Sequence, residues 1–456
     1  MKKNPATYLV ALLALFTTVS CMNDDEVTVV PSPYAMITSF GLGNIKSSYP
    51  AFTSKGEDTT VVRTISGYNY PFTINQETGE IFNADSMPYG TNVSKVLMSI
   101  SLKGVASLYN DSTSLYEYFS TSDSIDFSTP RKFRVTSADA QYSRDYTVTV
   151  NVHKVEPELL VWEKYSAPEG FVPACAVELG GNMCLLGNDS AGSLAVAVSP
   201  VAGTPEWAVS PVNGLPLTAN VQNVVQFGGS IYAVADGSIY VSANAADWAV
   251  ASSEAGTVAI VGASDIDGRM WIAGEQGIKY STNGSDFVFA EPLPANFPLY
   301  GISAASSQLA HNSGIIRYTL VGYATPDKNG KVYVWSLLSN ENSWACYDNG
   351  NDFPCPSLEN LTVLRYDNKL FALGGSGVVA GETLAPFSKF FVSRDNGIVW
   401  KVWDNYYHRL PKELLNDGNA FASTVDSGNY IWIVNSGSNA GVWKGIINRL
   451  GFENNY

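Results

Sequence analysis

A short apolar run ending in Ser recurs along the chain, at Ser199, Ser242, Ser281, Ser336 and Ser393. An aromatic follows six to eight residues later, at Trp207, Trp248, Phe287, Trp344 and Trp400. A degenerate copy reads Trp443-Lys444-Gly445. The fullest copy is Ser393-Arg394-Asp395-Asn396-Gly397-Ile398-Val399-Trp400. Its chemistry is that of a turn: Asp395 can bond nearby backbone N–H groups, Gly397 supplies a positive φ, and Trp400 anchors the next strand in a core. Upstream of each copy a strand carries a large residue in register: Tyr232, Trp271, Tyr318, Phe371 and Trp432. Cys184 holds that place in the first copy and reads as a buried reduced thiol. Repetition of this kind marks an array of like units.

Ser393, Asp395, Gly397 and Trp400 form a Ser-x-Asp-x-Gly-x-x-Trp box, which resembles the Asp-box of sialidase-like β-propellers. That resemblance implies an architecture and says little about activity. The last repeat leaves no room for an outer strand, while Leu159-Leu160-Val161-Trp162-Glu163-Lys164 is a spare one at the front. It has the character of Glu206-Trp207-Ala208-Val209. The reading is therefore six blades of four strands over residues 155–456, with the strand at Trp162 completing the last blade and removing the free sheet edges. The recurring aromatics are expected to pack between blades rather than to offer a sugar-stacking platform.

Residues 34–154 show alternating strands at 35–40, 60–65, 70–74, 96–100, 132–136 and 146–152, separated by turn signals. Regular short strands of this kind predict a β-sandwich. Met87-Pro88-Tyr89-Gly90-Thr91 and the stretch from Asp126 through Tyr146-Thr147-Val148-Thr149-Val150 resemble bacterial Ig-like domains, with Ala140 standing where that family has Gly. The resemblance implies a spacer or adhesion module. The hydroxyl-rich segment 111–128 lacks the Gly-punctuated spacing of a calcium loop and reads as a solvated loop.

At the start, Lys2 and Lys3 precede an apolar stretch too short to span a bilayer. Val19-Ser20-Cys21 resembles a lipobox, which implies cleavage after residue 20 and acylation of Cys21, a stable anchor. Asp24-Asp25-Glu26 resembles the surface-export signal of Bacteroidetes lipoproteins, on a tether over 21–33. The whole arrangement is similar to a Bacteroides-type two-domain lipoprotein family of unknown function, with Ile37-Thr38-Ser39-Phe40 and Ser122-Asp123-Ser124-Ile125-Asp126-Phe127 among its most specific pieces. An outer-membrane lipoprotein exposed at the cell surface is expected, touching membrane only through its lipid.

The formal net charge is −15, with no basic run after the leader, so nucleic acid and anionic membrane are poor partners. Three His and no Cys-x-x-Cys leave little for a metal site, and no cofactor is implied. Cys175 lies off register for Cys184 across the Gly180-Gly181 turn, and the state of Cys346 and Cys355 stays open. No catalytic set is identified. Only Arg365 lies on an inner strand, whereas sialidases need several arginines. A carboxylate-pair hydrolase would draw on Glu178, Asp265, Asp267, Asp367 or Asp426. Two long loops stand out: 374–389, Gly-rich and read as mobile, and 403–419. The latter carries Trp403, Tyr406, Tyr407, His408 and Arg409, which mix stacking faces with hydrogen-bonding tips. With Arg365 these are the candidate ligand residues. The reading is an all-β protein, an Ig-like sandwich followed by a six-bladed propeller, displayed for non-catalytic glycan or protein binding. A glycoside-processing enzyme and a structural part of an outer-membrane complex are the alternatives.

Overall fold

A computed structural model of the chain describes residues 32–52, 58–328, 330–347, 350, 352–379, 381–403, 407–418 and 420–448. Cys21, the leader and Tyr406 lie outside the described residues. The chain divides into two compact units, residues 1–49 with 60–153, and 50–59 with 154–456.

In the first unit a six-stranded sheet runs in the order Phe72–Asn75, Glu80–Asn83, Ser143–Thr149, Arg131–Thr136, Val105–Asn110, Leu115–Glu117, and Met36–Leu42 pairs separately with Met98–Lys103. The strictly alternating stretch at Tyr146 turns Tyr146 and Val148 inward, where they meet Ile37, Phe40, Ile81 and Phe133. The Tyr146 hydroxyl is not wasted there: it accepts from Ile37 N at 3.2 Å and donates to Gln76 Oε1 at 2.7 Å. Gly90 has φ 78°, and a Cβ there would lie 1.8 Å from the Ser48 carbonyl oxygen, so the Met87–Thr91 motif requires its glycine. Ala140 adopts φ 58°, taking the left-handed turn position that the sequence pattern reserves for Gly. Within 111–128, the segment expected as a loop, Leu115–Glu117 forms a short edge strand. Glu80–Asn83 was hidden by its four-residue length beside the Gly79 turn.

Among the described residues the second unit holds six four-stranded sheets. Their innermost strands are Val172–Leu179, Val225–Phe227, Thr257–Ser264, Tyr300–Leu309, Thr362–Tyr366 and Phe421–Val425. Each adjoins the next, and the last adjoins the first. Five sheets are built from consecutive strands except for one insertion. In the sixth, the outer position beside Gly441–Ile447 is taken by Leu160–Tyr165, antiparallel, with Trp162 opposite Gly445. Gly445 stands where the other repeats have Ser, and a Cβ on it would lie 2.6 Å from the Trp162 ring. The Trp162 indole donates to Arg409 O at 2.6 Å. Across the seam between first and sixth sheets, buried Lys444 donates to Val201 O at 3.0 Å and lies 4.5 Å from the Trp432 ring centroid.

The recurring Ser residues are all buried. Ser393 Oγ donates to Asp395 Oδ1 at 2.7 Å and accepts from Gly397 N at 2.8 Å; Asp395 also accepts from Val399 N at 2.9 Å. The turn at Ser281 repeats this with Asn283, and so does Ser242 with Asn244, which the sequence pattern hid because Asn replaces Asp and Ala245 supplies the positive φ of 64°. Aromatics after the turns pack on neighbouring sheets: Trp344 lies 6.2 Å from Trp271, and Trp207 lies 6.4 Å from Trp432, both edge to face. Ser336 pairs with Thr319, so Leu320, not Tyr318, holds the place of Tyr232 and Trp271; Tyr318 sits two residues earlier because Asn312–Tyr323 is an unusually long strand. Cys184 does hold that place, paired with Val198. Cys175, Cys184, Cys346 and Cys355 are thiols, and Cys175 pairs with Leu186.

Trp162→Ala is expected to lower stability of the second unit by roughly 2–3 kcal/mol, on the low side for a Trp deletion because the ring is half-buried. Urea unfolding of wild type and variant measures it; an unchanged midpoint contradicts the pairing.

Candidate functional site

The six inner strands surround a cavity of about 1450 Å³. Its wall mixes amides and hydroxyls, such as Gln222, Gln226, Ser303 and Thr362, with apolar residues such as Val177 and Ile302. Among the described residues lining it, the charged side chains are Asp327, Lys328 and Glu359. Tyr300 and Tyr323 add aromatic surface, and the Tyr323 hydroxyl shares a hydrogen bond with Ser357 Oγ at 2.8 Å. Cys175 also faces this space; burial pushes its thiol up to about 11, so it stays protonated. Gln222 precedes the second inner strand and Asn360 the fifth. These strands lie three steps apart around the cycle, and yet Gln222 Nε2 donates to Asn360 Oδ1 at 3.0 Å. The bond therefore spans the cavity from opposite sides.

One wall comes from the segment 374–389. It was expected to be mobile, but Gly377–Val379 and Glu382–Leu384 form a hairpin that joins Ser357–Leu358 in a three-stranded sheet. Ser357 pairs with Val378 and Leu358 with Gly377 in that sheet. Between this segment and 403–418, Asn416 N donates to Pro386 O at 3.1 Å, and Phe387 meets Phe421 of the sixth inner strand at 4.8 Å.

The candidate ligand residues are spread over separate places. Trp403 and His408 line a second cavity of about 460 Å³, together with Glu158, Asp367, Lys369 and Arg394. Trp403 packs against Phe371 at 5.7 Å and the His408 ring at 4.3 Å, with Arg394 5.0 Å and Lys369 5.5 Å from its ring centroid. His408 is only 4% exposed. Burial first, and then the Lys369 charge, push its pKa down to about 4, so its imidazole is neutral near pH 7. Tyr407 bonds Glu156, and its carbonyl accepts from Leu160 N at 2.7 Å. Arg409 offers its carbonyl to Trp162. These contacts hold the outer strand. Arg365 lines neither cavity; it donates to Asn396 Oδ1 at 3.2 Å.

The five acids named for hydrolysis are each engaged at strand ends, and none lines the large cavity. Glu178 accepts from Ser427 N and Oγ at 2.6 and 2.8 Å. Asp265 accepts from Gly228 N at 2.7 Å, and Asp267 from the Tyr318 hydroxyl at 2.6 Å. Asp367 pairs with Lys369. Buried Asp426 accepts from Tyr430 N and Trp432 Nε1, both at 2.7 Å. Among the described residues no cluster of metal-ligating side chains occurs, and no helix is long and apolar enough to cross a membrane.

Sequence reasoning missed Gln222, Asn360 and Tyr300. All three sit in or beside connectors just ahead of inner strands, and that position is the only signal they gave.

Sheets succeeding one another around a central cavity define a β-propeller domain in an all-β protein. A family model described as the DUF6242 beta propeller domain matches residues 156–455, and one described as the N-terminal domain of DUF6242, a domain of unknown function, matches residues 40–150. The chain belongs to this DUF6242 family. No curated protein matches it. Among solved structures it is similar to YjhT, at 12% identity over 61% of this chain and 94% of that one, with a TM-score of 0.40. The GH93 alpha-L-arabinofuranosidase of Fusarium graminearum in complex with arabinobiose matches at 11% identity over 62% and 98%, with a TM-score of 0.36. The gluconolactonase XC5397 from Xanthomonas campestris matches at 12% over 63% and 90%, with a TM-score of 0.32. Likenesses this distant carry no argument about chemistry.

The unfolded imidazole takes a proton near pH 6.5, whereas His408 in the fold takes one only near 4. The unfolded state therefore binds the extra proton between those values, and stability falls as pH drops through that window, by on the order of 2–3 kcal/mol. His408→Gln is expected to remove this part of the fall. Urea midpoints from pH 7 to 4 test it; parallel curves for wild type and variant contradict a buried neutral His408.

Proposed function

We propose that this protein is a non-catalytic binding module that takes an uncharged, polyhydroxylated ligand, a neutral glycan segment, in the central cavity of a six-bladed propeller. One observation carries the reading: a space of about 1450 Å³ lined by amides, hydroxyls and tyrosine faces interleaved with small apolar residues, with Asp327, Lys328 and Glu359 as the charged groups among the described residues. Amide and hydroxyl groups exchange hydrogen bonds with sugar hydroxyls in either direction, and Tyr300 offers a face for a sugar ring. The engagement of Glu178, Asp265, Asp267, Asp367 and Asp426 in structural bonds favours binding over hydrolysis. An Asp-box reading of the Ser393 turn, ring closure by the strand at Trp162, and an Ig-like spacer over 34–154 complete the architecture. The Lys2-Lys3 start, the apolar stretch after it and Cys21 support a lipid anchor in the outer membrane, with the propeller displayed at the cell surface. Tyr407 and Arg409 then brace the outer strand of the last blade while Trp403 and His408 pack beside the fifth sheet, with any ligand contact secondary.

A glycan array followed by calorimetry on the purified chain tests the reading. A neutral oligosaccharide is expected to bind, and Tyr300→Ala and Gln222→Ala are each expected to weaken it about tenfold, the size of one lost stacking or hydrogen-bonding contact. An array without neutral hits, or hits indifferent to both substitutions, removes the proposal. For the anchor, labelled palmitate is expected in wild type and absent from Cys21→Ser; label retained by the variant counts against it.

A further inference from the structure

The seam between the fourth and fifth sheets contains a second, chemically opposite feature. Val321 and Val334 of the fourth sheet pack with Val363 and Leu370 of the fifth in one apolar cluster. Arg317 lies four residues before Val321 on its strand, and Arg365 two residues after Val363 on its own. Side chains two or four apart on a strand share a face, so both guanidinium groups are directed into this seam, beyond the end of the apolar cluster.

Their partners there are neutral. Arg317 Nη1 donates to the Tyr347 hydroxyl at 2.7 Å, and Arg365 Nη1 to Asn396 Oδ1 at 3.2 Å. Among the described residues neither has a carboxylate partner, whereas the part-buried lysines 279 and 369 are paired with Glu254 and Asp367. The Arg317 Nε is buried with no hydrogen-bond acceptor. In a chain of net charge −15, two arginines left together without an acid are an exception that calls for a counter-charge. Burial, and then the Arg317 charge, hold the Arg365 guanidinium below its ordinary range, as expected of neighbours that repel.

We infer that Arg317 and Arg365, with Tyr347 and Asn396 beside them, form a binding site for an oxyanion, separate from the central cavity. Guanidinium donors match the geometry of sulfate, phosphate or carboxylate oxygens, and the Arg317 Nε–H is an unused donor for one of them. The same chemistry comes from a free inorganic ion or from an anionic substituent on a larger molecule.

The test uses the full chain. Sodium sulfate and sodium phosphate are titrated against it at constant ionic strength balanced with chloride, with the melting temperature and calorimetric heat as readouts. A saturable rise in melting temperature is expected with the oxyanions and none with chloride. Arg317→Gln and Arg365→Gln are each expected to weaken binding at least tenfold. Without oxyanion, Arg317→Gln is expected to melt no lower than wild type, because it removes the repulsion; a lower melting point marks a purely structural arginine and overturns the inference. So does the absence of a saturable response in wild type, which depends on no variant folding, or a response that both variants keep. N-acetylglucosamine 6-sulfate and its uncharged parent separate the sources. Tighter binding of the sulfated sugar than of inorganic sulfate assigns the site to a substituent, and equal binding assigns it to a free ion. The central-cavity proposal stands or falls separately, on neutral sugars and on Tyr300.

Discussion

The pairing of Leu160–Tyr165 with Gly441–Ile447 is the constraint on which the second unit rests. A ring of sheets built strictly in chain order would leave the two ends of the chain to meet only through side chains. Using an early strand as the outer strand of the last sheet replaces that weak seam with a backbone ladder. It also covers an exposed edge that would otherwise pair with another chain. Gly445 makes the arrangement specific, because the Trp162 ring occupies the space a side chain would need. Tyr407 and Arg409 then clamp the strand through their backbone carbonyls.

The convergence of the inner strands has a consequence for chemistry. When inner strands converge on an axis, the atoms that meet there come from connectors and strand starts, not from the conspicuous turns. Acids at the strand ends are drawn into capping turns, as Asp426 and Glu178 show. The axis is left to residues such as Gln222, Ser303 and Thr383, which can bind hydroxyls but supply no general acid. Charge is moved outward, to the Lys369–Asp367 pair and to the arginines between the fourth and fifth sheets.

Much of the architecture was legible. Ser and Trp at fixed spacing report one turn because the buried hydroxyl, the acceptor two residues later and the indole each have a defined bond to make. A surplus strand at the front and a missing one at the end pointed to the same ladder. Legibility ended where a position is defined by three-dimensional neighbours alone. Tyr318 looked equivalent to Trp271 by spacing, but a longer strand shifted the register by two. Glycines in 374–389 suggested mobility, yet at Gly377 the missing side chain lets a hairpin lie close against the strand at Ser357, whose carbonyl oxygen would stand 2.1 Å from a Cβ there. The central lining gave no signal, since isolated Gln, Asn, Ser and Thr occur everywhere in a chain.

Native-state hydrogen exchange on the intact chain probes the ring most directly. Amides of 160–165 are expected to open together with those of 431–435 and 441–447, at one common free energy. Exchange of 160–165 in step with residues 131–149 of the first unit, or as a freely fraying segment, would contradict the closure and the cavity that depends on it.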